Sequence, residues 1–494
     1  MREKYESLSL VVLKDLAKAR GLKGISTMKK GELIDRMLQE DEREKETAPK
    51  AKTVYTARTA SGQEGRKHTP KQRREEHPSH TEEHNSPEHG ENVHASQEQT
   101  YKVQEDNDSA AIKEDIVSLD SGNTASGILE VMADGFGFIR CENYLPGEHD
   151  VYVAPSQIRR FNLKTGDIVC GNTKVKSERE KFSALLYVTS VNGYHPSEAQ
   201  KRTNFEDLTP IFPNVRLRME RPGGSVAMRV MDIVSPIGKG QRGMIVSPPK
   251  AGKTTLLKQV AKAVTTNNPD MHLMILLIDE RPEEVTDIRE AIVGPNVEVI
   301  YSTFDELPDR HKRVSEMVIE RAKRLVEHGR DVIILLDSIT RLARAYNLTV
   351  APSGRTLSGG LDPAALHMPK RFFGAARNMR EGGSLTVLAT ALVETGSRMD
   401  DVVYEEFKGT GNMELVLDRK LSEKRIFPAI DILKSGTRRD DLLLSREEAE
   451  AVDIIRKATN SLKPEDAVEK ILDLFARTRN NREFVENAKR IRFF

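Results

Sequence analysis

The segment SPPKAGKTT, residues 247–255, ends in a Gly-Lys-Thr triplet of the kind that binds phosphate. A short apolar run, 243–246, precedes the loop, and a helical pattern, 255–264, leaves it. In a strand–loop–helix setting, backbone N–H groups and the helix N-terminus can point at phosphate oxygens. Lys253 would then reach the β- and γ-phosphates of a nucleotide, and the hydroxyl of Thr254 would hold Mg²⁺.

This loop departs from the usual phosphate-binding pattern at its first position. Glycine normally stands five residues before Gly252, and this chain has Ser247 there. Serine is small enough to take that place, and the two prolines that follow it stiffen the loop by fixing φ. The alternative is a chance Gly-Lys-Thr, which the flanking strand and helix patterns argue against. The loop residues predicted to contact the nucleotide are Pro249, Lys250, Ala251, Gly252, Lys253, Thr254 and Thr255.

Two more apolar runs end in acidic residues that could complete a hydrolytic site. VIILLDS brings Asp337 to a strand end, where a carboxylate can orient Mg²⁺ or its water; a turn-capping aspartate is the alternative. LMILLIDERPEEV places Glu280 at the end of another strand, from which it can polarise the attacking water. Its neighbours Asp279 and Glu283 are predicted to fix the turn or cap the next helix, and Arg281 is placed with the nucleotide-contacting residues.

The elements that would position these side chains alternate between apolar runs and helical patterns from about residue 225 onward. Runs such as GMIVS, HLMILLIDE and DVIILLDS suit a parallel sheet that is buried on both faces, with helices between the strands. We therefore predict an α/β phosphate-loop domain over 225–494 that ends in helices. The apolar residues that indicate these last helices are Val452, Ile454, Ile455, Ile471, Leu472 and Leu474.

Residues 119–195 contain five short strand patterns separated by turn residues, which is typical of a small β-barrel of the OB-fold or cold-shock type. Phe136 and Phe138 alternate within GFGFIR, so both rings lie on one face of a strand. Glycines between them would clear space for stacked bases, and Arg140 would add a cation for phosphate. The alternative is that both rings fill the barrel core. Residues 196–224 are predicted to be a connector.

The first 118 residues divide into two parts. Residues 43–118 hold almost no large apolar side chains, so we predict a disordered polar insertion. It contains six of the chain's twelve histidines, but irregular spacing without cysteines favours a solvated linker over a metal-binding tract. Residues 1–42 are predicted to be a small helical module. The apolar residues that indicate it are Leu10, Leu13, Leu16, Ala17, Leu33, Ile34, Met37 and Leu38.

Composition narrows the class of protein. A chain of 494 residues is too long for one core, so several domains are expected. The net charge of +1 shows no overall basic excess, so local clusters must indicate any nucleic-acid site. Cys141 and Cys170 are too few for a disulfide framework or a four-cysteine zinc site, and we expect reduced thiols in the cytoplasm. No apolar run reaches the roughly 20 residues of a membrane helix, and the N-terminus lacks a signal-peptide core.

Longer motifs, in the same order, resemble the family of the bacterial transcription termination factor Rho. GFGFIR and DVYVAPSQIRRFNLKTGD resemble its RNA-binding domain, so the similarity runs from about residue 125 to 494. The resemblance implies a RecA-like ATPase that uses ATP and Mg²⁺, assembles as a homohexameric ring and moves along RNA. The motifs in the α/β domain that carry it are SPPKAGKTT, IDERPEEVTD, LLDSITRLARAYN, TGSRMDDVVYEEFKGTGNMEL and FPAIDILKSGTRR.

The resemblance also implies roles that spacing alone leaves open. Arg438, in the family's Gly-Thr-Arg motif, would be an arginine finger that reaches the nucleotide of the neighbouring subunit. Arg425 resembles a second phosphate sensor, and Phe427 resembles an adenine-stacking residue. Without the family motifs, Arg425 and Arg438 are two arginines in loops, where ordinary surface charge is common. A guanidinium from the adjoining chain would stabilise transition-state charge and make hydrolysis depend on assembly.

For RNA, the resemblance favours exposed rings at Phe136 and Phe138, and it adds Asp150, Tyr152 and Phe182 to the RNA-binding residues. It implies a preference for cytosine. The family has tyrosine where Phe182 stands, so one hydrogen bond to a base is absent here.

A second RNA site would lie in two loops, 347–362 and 395–401, which correspond to family loops that project into the ring's channel. They carry Arg355 and Arg398, where the family often has lysine; arginine can bind phosphate with two parallel hydrogen bonds. Loops that only connect elements are the alternative.

The function implied is ATP-dependent transcription termination in the cytoplasm, without a membrane partner. Nascent, cytosine-rich single-stranded RNA is bound, RNA–DNA hybrids are unwound, and the transcript is released from the RNA polymerase elongation complex. One alternative is another ring ATPase, such as a rotary synthase subunit or a DNA helicase, which the leading barrel and Gly-Thr-Arg disfavour. The other is a non-enzymatic RNA-binding protein, which the intact Lys253, Thr254, Glu280 and Asp337 disfavour.

Overall fold

The computed structural model of the chain describes the following residues: Ala17, 28–36, Leu38, 119–177, 180–460 and 464–490. They belong to two units, one containing Ala17, 28–36 and Leu38, the other containing the rest. In the smaller unit, residues 30–36 are helical and Leu33 and Ile34 are buried, as their spacing predicts. The predicted polar insertion, 43–118, and the leucines at 10, 13 and 16 lie outside the described residues.

The predicted barrel is present. Its strands close in the order β1-β2-β3-β5-β4, and a helix, α1, joins β3 to β4. Their bounds are β1 (Asp120–Val131), β2 (Gly137–Arg140), β3 (Val151–Val153), α1 (Pro155–Phe161), β4 (Ile168–Lys174) and β5 (Ser183–Val191). Alternate residues such as Leu129, Ile139 and Val153 fill the interior, so their strand neighbours face outward.

The segment predicted to be a connector is built into the larger domain. It contains α2 (Pro196–Lys201), a 3₁₀ turn (Phe205–Asp207), β6 (Pro210–Ile211) and β7 (Arg216–Leu217). Residues of β6 pair with a strand of the main sheet, and β7 pairs with β8 (Ile237–Gly238). The hydrogen bonds of this segment therefore attach the polypeptide that leaves the barrel to the domain that follows.

The larger domain is organised around a nine-stranded sheet in which the order β11-β10-β12-β14-β9-β15-β16 forms the main path. The pairs from β11 to β15 are parallel, and β16 is antiparallel to β15. Short β13 pairs with both β14 and β6. The bounds are β9 (Arg242–Ser247), β10 (His272–Glu280), β11 (Val297–Thr303), β12 (Asp331–Asp337), β13 (Arg377–Met379), β14 (Ser384–Leu392), β15 (Met413–Val416) and β16 (Gly436–Thr437).

Helices cover both faces of this sheet, as the continuous apolar strands predict. Along β10, Leu273, Ile275 and Leu277 face one core, while Met274 and Leu276 face the other. The helices are α3 (Val226–Val234), α4 (Lys253–Asn267), α5 (Pro282–Ala291), α6 (Pro308–Val326), α7 (Ile339–Thr349), α8 (His367–Gly374), α9 (Arg398–Lys408), α10 (Arg419–Glu423), α11 (Arg446–Asn460), α12 (Pro464–Ala476) and α13 (Asn481–Arg490). Helices α3 to α5 and α11 to α13 contribute to the first core, and α6 to α9 contribute to the second.

The C-terminal helices are held to α3 by one buried arginine. The guanidinium of Arg229 donates to the carbonyl oxygens of Phe475 (2.7 Å) and Thr478 (2.6 Å), to the Thr478 hydroxyl and to Asn481 Oδ1. Burial lowers the pKa of Arg229. A guanidinium can satisfy several acceptors at once, so this side chain sets where the turn between α12 and α13 lies.

Replacing Arg229 with methionine should loosen this region, because buried carbonyls would lose their donors. We expect a loss of roughly 3 kcal/mol in the free energy of unfolding and faster hydrogen exchange in 464–490. The matched control is Arg477→Met, since Arg477 is 75% exposed and pairs with Asp473 one turn away. Equal exchange rates in the two variants would contradict this role.

Candidate nucleotide site and nucleic-acid surface

The phosphate loop lies between β9 and α4, at the carboxyl edge of the sheet. Gly252 has φ of 92° and precedes α4 without any side-chain cap, so the first N–H groups of that helix are available to a ligand. Nothing lies within 4 Å of where a Gly252 Cβ would be, so the backbone conformation, not space, requires glycine. Ser247 is buried, and its hydroxyl donates to the carbonyl of Pro248. Ser247 therefore shapes the start of the loop.

Lys253, Glu280 and Asp337 come together at this edge. The Lys253 ammonium lies 2.9 Å from Glu280 Oε1 and 2.5 Å from Asp337 Oδ1. Burial alone would lower the pKa of Lys253, but attraction to Asp337 and Glu280 outweighs burial and raises it. Burial and repulsion by Asp337 raise the pKa of Glu280, which makes this carboxylate a better proton acceptor. The Thr390 hydroxyl donates to Asp337 Oδ1 at 2.7 Å and fixes its orientation.

The oxygen-rich donor set at this edge fits Mg²⁺, which prefers hydroxyl, carboxylate and phosphate oxygens. Asp337 supplies one carboxylate, and the Thr254 hydroxyl contacts Glu284 at 3.4 Å. In the described ranges, no group of three or more His, Cys, Asp or Glu side chains is arranged to hold a metal. A metal here would therefore depend on the bound phosphates as well as on the protein.

The neighbouring residues of the strand end have separate positions. Asp279 pairs with Arg341 of α7 and has a positive φ, which agrees with its predicted part in the turn. Glu283 and Arg281 are exposed at the start of α5. Two residues near the site were not predicted from the sequence. Glu284 approaches Thr254 from the first turn of α5. Thr390 contacts Asp337, but in the sequence it is one residue of an apolar strand and has no motif around it.

Arg425 and Phe427 lie at the same carboxyl edge as the phosphate loop. They follow β15 and α10, and the N–H of Leu417 donates to Val246 O, one residue before Ser247. Both side chains are exposed, Phe427 by 58%. They are therefore placed to contact a nucleotide bound by their own chain.

Arg438 lies at the opposite, amino edge. Its N–H donates to Asn412 O, and the N–H of Asn412 donates to Arg242 O at the first residue of β9. The full length of β9, about 17 Å at 3.3 Å per residue, separates that level from the phosphate loop. Arg438 is exposed, so its side chain is free of the core at the edge opposite to the phosphate loop.

The barrel carries four aromatic side chains together on its surface, and we call Phe136, Phe138, Tyr152 and Phe182 the aromatic face. Neighbouring ring centroids lie 5.1 to 6.0 Å apart, and each ring is half-buried. None of them belongs to the barrel core, so the alternative that the rings fill it is wrong. Exposed aromatic faces of this kind can stack on unpaired bases.

Two expectations about this surface need correction. Arg140 is only 6% exposed and forms ion pairs with Glu130 and Asp150. Because both pairs lie within the barrel wall, its guanidinium is not available to bind phosphate. Gly137 does not clear space for bases. Its Cβ would meet Leu129 Cδ1 and Glu130 O at 2.9 Å, so glycine is needed there for packing toward the interior.

The two arginine-bearing loops are neighbours. A Cβ on Gly359, in the first loop, would lie 2.5 Å from the backbone N of Met399, so the backbones of the two loops touch. Arg355 and Arg398 are both exposed. The second loop leads into α9, where buried Asp400 accepts from Arg344 and Thr395. The structure thus brings the two predicted RNA-contacting loops together on one surface.

Other sequence expectations concern the chain as a whole. Cys141 and Cys170 are free thiols. Across the described part of the chain, we find no helix with the length and apolar character needed to span a bilayer.

Comparison with known proteins gives consistent matches for both domains. Residues 125–197 match the family described as Rho termination factor, RNA-binding domain. Residues 227–437 match the ATP synthase alpha/beta family, nucleotide-binding domain. The two matched ranges coincide with the barrel and with the nucleotide-binding sheet.

Similar curated proteins cover most of the chain. Transcription termination factor Rho of Pseudomonas aeruginosa is 57% identical over 372 residues, which is 74% of this chain and 88% of that protein. The protein of the same name from Bacillus subtilis is 57% identical over 361 residues, covering 73% and 83%. Among solved structures, a type III secretion system ATPase of pathogenic bacteria aligns with 64% of this chain and 94% of its own, at 20% identity and a TM-score of 0.49.

Replacing Thr390 with valine tests the arrangement around Asp337. The change keeps the side-chain volume and removes the hydroxyl bond, so we expect the steady-state rate of nucleotide hydrolysis to fall roughly tenfold. The control is Thr386→Val on the same strand, where the buried hydroxyl accepts from Gly240 N–H and lies far from the site. Equal loss of activity in both variants would show a general strand effect and contradict a role at Asp337.

Proposed function

The chain belongs to the family of transcription termination factor Rho, and we propose that its phosphate loop hydrolyses ATP while RNA on the barrel and in a central channel controls the reaction. The protein is an ATP-dependent, RNA-binding transcription termination factor, an RNA-dependent ATPase and helicase. The observation that carries the site proposal is the convergence of Lys253, Glu280 and Asp337 beside the phosphate loop.

In this proposal each residue has a separate task. Lys253 leaves its two carboxylates to bind the terminal phosphates. The loop residues and Thr255 donate backbone N–H groups to phosphate oxygens, and Arg281 and Arg425 add positive charge at the same edge. Glu280, released from Lys253, accepts a proton from the attacking water. Thr254 and Asp337 hold Mg²⁺, which neutralises phosphate charge when it is bound, and Phe427 stacks on adenine.

We further propose that the protein works as a homohexameric ring. The support is the position of Arg438, because a guanidinium at the amino edge can reach only a nucleotide held by another chain. Arg438 would then stabilise charge in the neighbour's transition state. Hydrolysis at every site would depend on contact between two subunits.

RNA is proposed to bind in two places. The aromatic face stacks bases of nascent, cytosine-rich single-stranded RNA, at roughly 1–3 kcal/mol per base; Asp150 and Arg140 lie beside it. Arg355 and Arg398 grip the backbone in the channel. Movement of these loops pulls RNA, unwinds RNA–DNA hybrids and releases the transcript from RNA polymerase. We propose the cytoplasm as the site of this activity.

Changing Lys253 to alanine should abolish ATP hydrolysis and leave RNA binding intact. The reason is that Lys253 lies at the phosphate loop, while the aromatic face lies on another domain. ATPase rates are measured with and without cytosine-rich RNA, and RNA binding is measured by fluorescence anisotropy. A wild-type rate that is equal with and without RNA would refute the proposed control by RNA.

Mixing two inactive variants tests the subunit-crossing arginine. Arg438→Ala keeps its own site and lacks the finger, whereas Lys253→Ala keeps the finger and lacks the site. Mixed rings should recover activity, up to roughly a quarter of the wild-type rate at equal amounts, because that fraction of interfaces joins an intact site to an intact finger.

The matched control for this mixture is Arg439→Asn. Arg439 is exposed, pairs with Asp441 and has a positive φ that asparagine tolerates, so this variant should keep the wild-type rate. Mixtures that stay inactive would mean that Arg438 acts within its own chain or in structure alone.

A further inference from the structure

A series of ion-paired side chains begins beside the aromatic face of the barrel. The guanidinium of Arg140 lies 4.9 Å from the Phe138 ring centroid and between two carboxylates. Its NH1 is 2.5 Å from Asp150 Oδ2, and its Nε is 2.7 Å from Glu130 Oε2. Asp150 is buried, and its other oxygen, Oδ1, has no hydrogen-bond partner among the described residues. Any ligand that donates a hydrogen bond to Asp150 would weaken the Arg140–Asp150 ion pair relative to the Arg140–Glu130 ion pair.

Glu130 connects this series of ion pairs to the ATPase domain. Arg313 of α6 donates from NH2 to both oxygens of Glu130, at 2.7 and 2.8 Å. One carboxylate therefore lies between two guanidinium groups, one from the barrel and one from the ATPase domain. Glu130 is only partly exposed, at 16%, so water screens these interactions less than on an open surface.

A second link joins the same two regions. Asn143, in the loop between β2 and β3, donates from Nδ2 to Tyr301 O at 2.8 Å and accepts from Tyr301 N–H at 3.2 Å. Tyr301 belongs to β11. Two residues later, Thr303 is in register with Glu280, and Phe304 N–H donates to Glu280 O at 3.1 Å.

Both links therefore end on one continuous segment, β11 and α6, which passes directly beside Glu280. The barrel is also fixed sterically on α6. Gly166 has φ of 95°, and a Cβ there would lie 2.4 Å from the carbonyl carbon of Glu320. A barrel in direct backbone contact with α6 cannot shift without moving this helix.

We propose that Arg313, acting through Glu130, is a positioning residue that transmits RNA occupancy of the barrel to the β11–α6 segment and so to Glu280. This inference rests on the proposed RNA site of the aromatic face. By linkage, a group that couples two sites changes the effect of one ligand on the other more than it changes either site alone. Arg313 belongs neither to the aromatic face nor to the phosphate loop, so its removal should affect coupling selectively.

The test uses the full-length protein and the variant Arg313→Gln. Three quantities are measured: the ATPase rate without RNA, the rate at saturating long cytosine-rich RNA, and the Kd of a short oligocytidine for the nucleotide-free protein. We expect the stimulation by RNA to fall about fivefold, with the RNA-free rate and the oligocytidine Kd within about twofold of wild type. Asn143→Gly, which removes the second link and tolerates the positive φ of 41°, should act in the same direction.

The matched control is Arg310→Gln, one turn earlier on α6. Arg310 is 51% exposed and pairs with Glu306 of its own segment, so stimulation should be unchanged. In the Glu130→Gln background, Arg313→Gln should have no further effect, because the pair is already broken. Independent losses in the double variant would overturn the link through Glu130.

The variant Phe138→Ala distinguishes failure of the coupling role of Arg313 from failure of the proposed RNA site on the aromatic face. If Phe138→Ala leaves oligocytidine binding unchanged, the RNA site itself is wrong. If Phe138→Ala weakens binding and Arg313→Gln is still stimulated like the wild type, the RNA site stands and the coupling role of Arg313 is overturned. A loss of oligocytidine affinity in Arg313→Gln equal to its loss of stimulation would also overturn it, because the residue would then serve binding alone.

Discussion

Two buried carboxylates share a single half-buried ammonium at the phosphate loop, and the rest of the active edge depends on that imbalance. Glu280 and Asp337 both contact Lys253, so one ammonium faces two acidic groups. Uncompensated charge in a partly desolvated site is unfavourable, which is consistent with the Mg²⁺ proposed for this edge. Burial, together with repulsion by Asp337, raises the pKa of Glu280. A site with this excess of acidic groups is a suitable starting point for ligand-dependent chemistry.

The parallel sheet explains why these three residues meet. Strands buried on both faces must run as continuous apolar stretches, and parallel strands all end at the same edge. The same register sends Arg438 to the opposite edge, one strand length away from the loop. A single topological fact thus places the residues proposed to bind a nucleotide at one edge of the sheet and the proposed arginine finger at the other.

Much of this could be predicted from sequence because it depends on local pattern. Strand, loop and helix around Lys253, the acidic strand ends, and the shared face of Phe136 and Phe138 follow from periodicity and short motifs. What failed depends on partners distant in the chain. Arg140 reads as an open cation until Glu130 and Asp150 are seen on either side of it. Thr390 is 53 residues from Asp337, and no local signal marks that hydrogen bond. The pairing of the connector with the sheet could not be predicted either, because β13 is distant from the connector in sequence.

The backbone contact at Gly166 limits how such a molecule can be rebuilt. Because the barrel meets α6 main chain to main chain, with no side chain between them, any substitute barrel would need a glycine in the same left-handed turn. The two domains can therefore be exchanged between relatives only where both parents have this glycine turn. Chimaeras should be joined so that this turn and α6 come from the same parent.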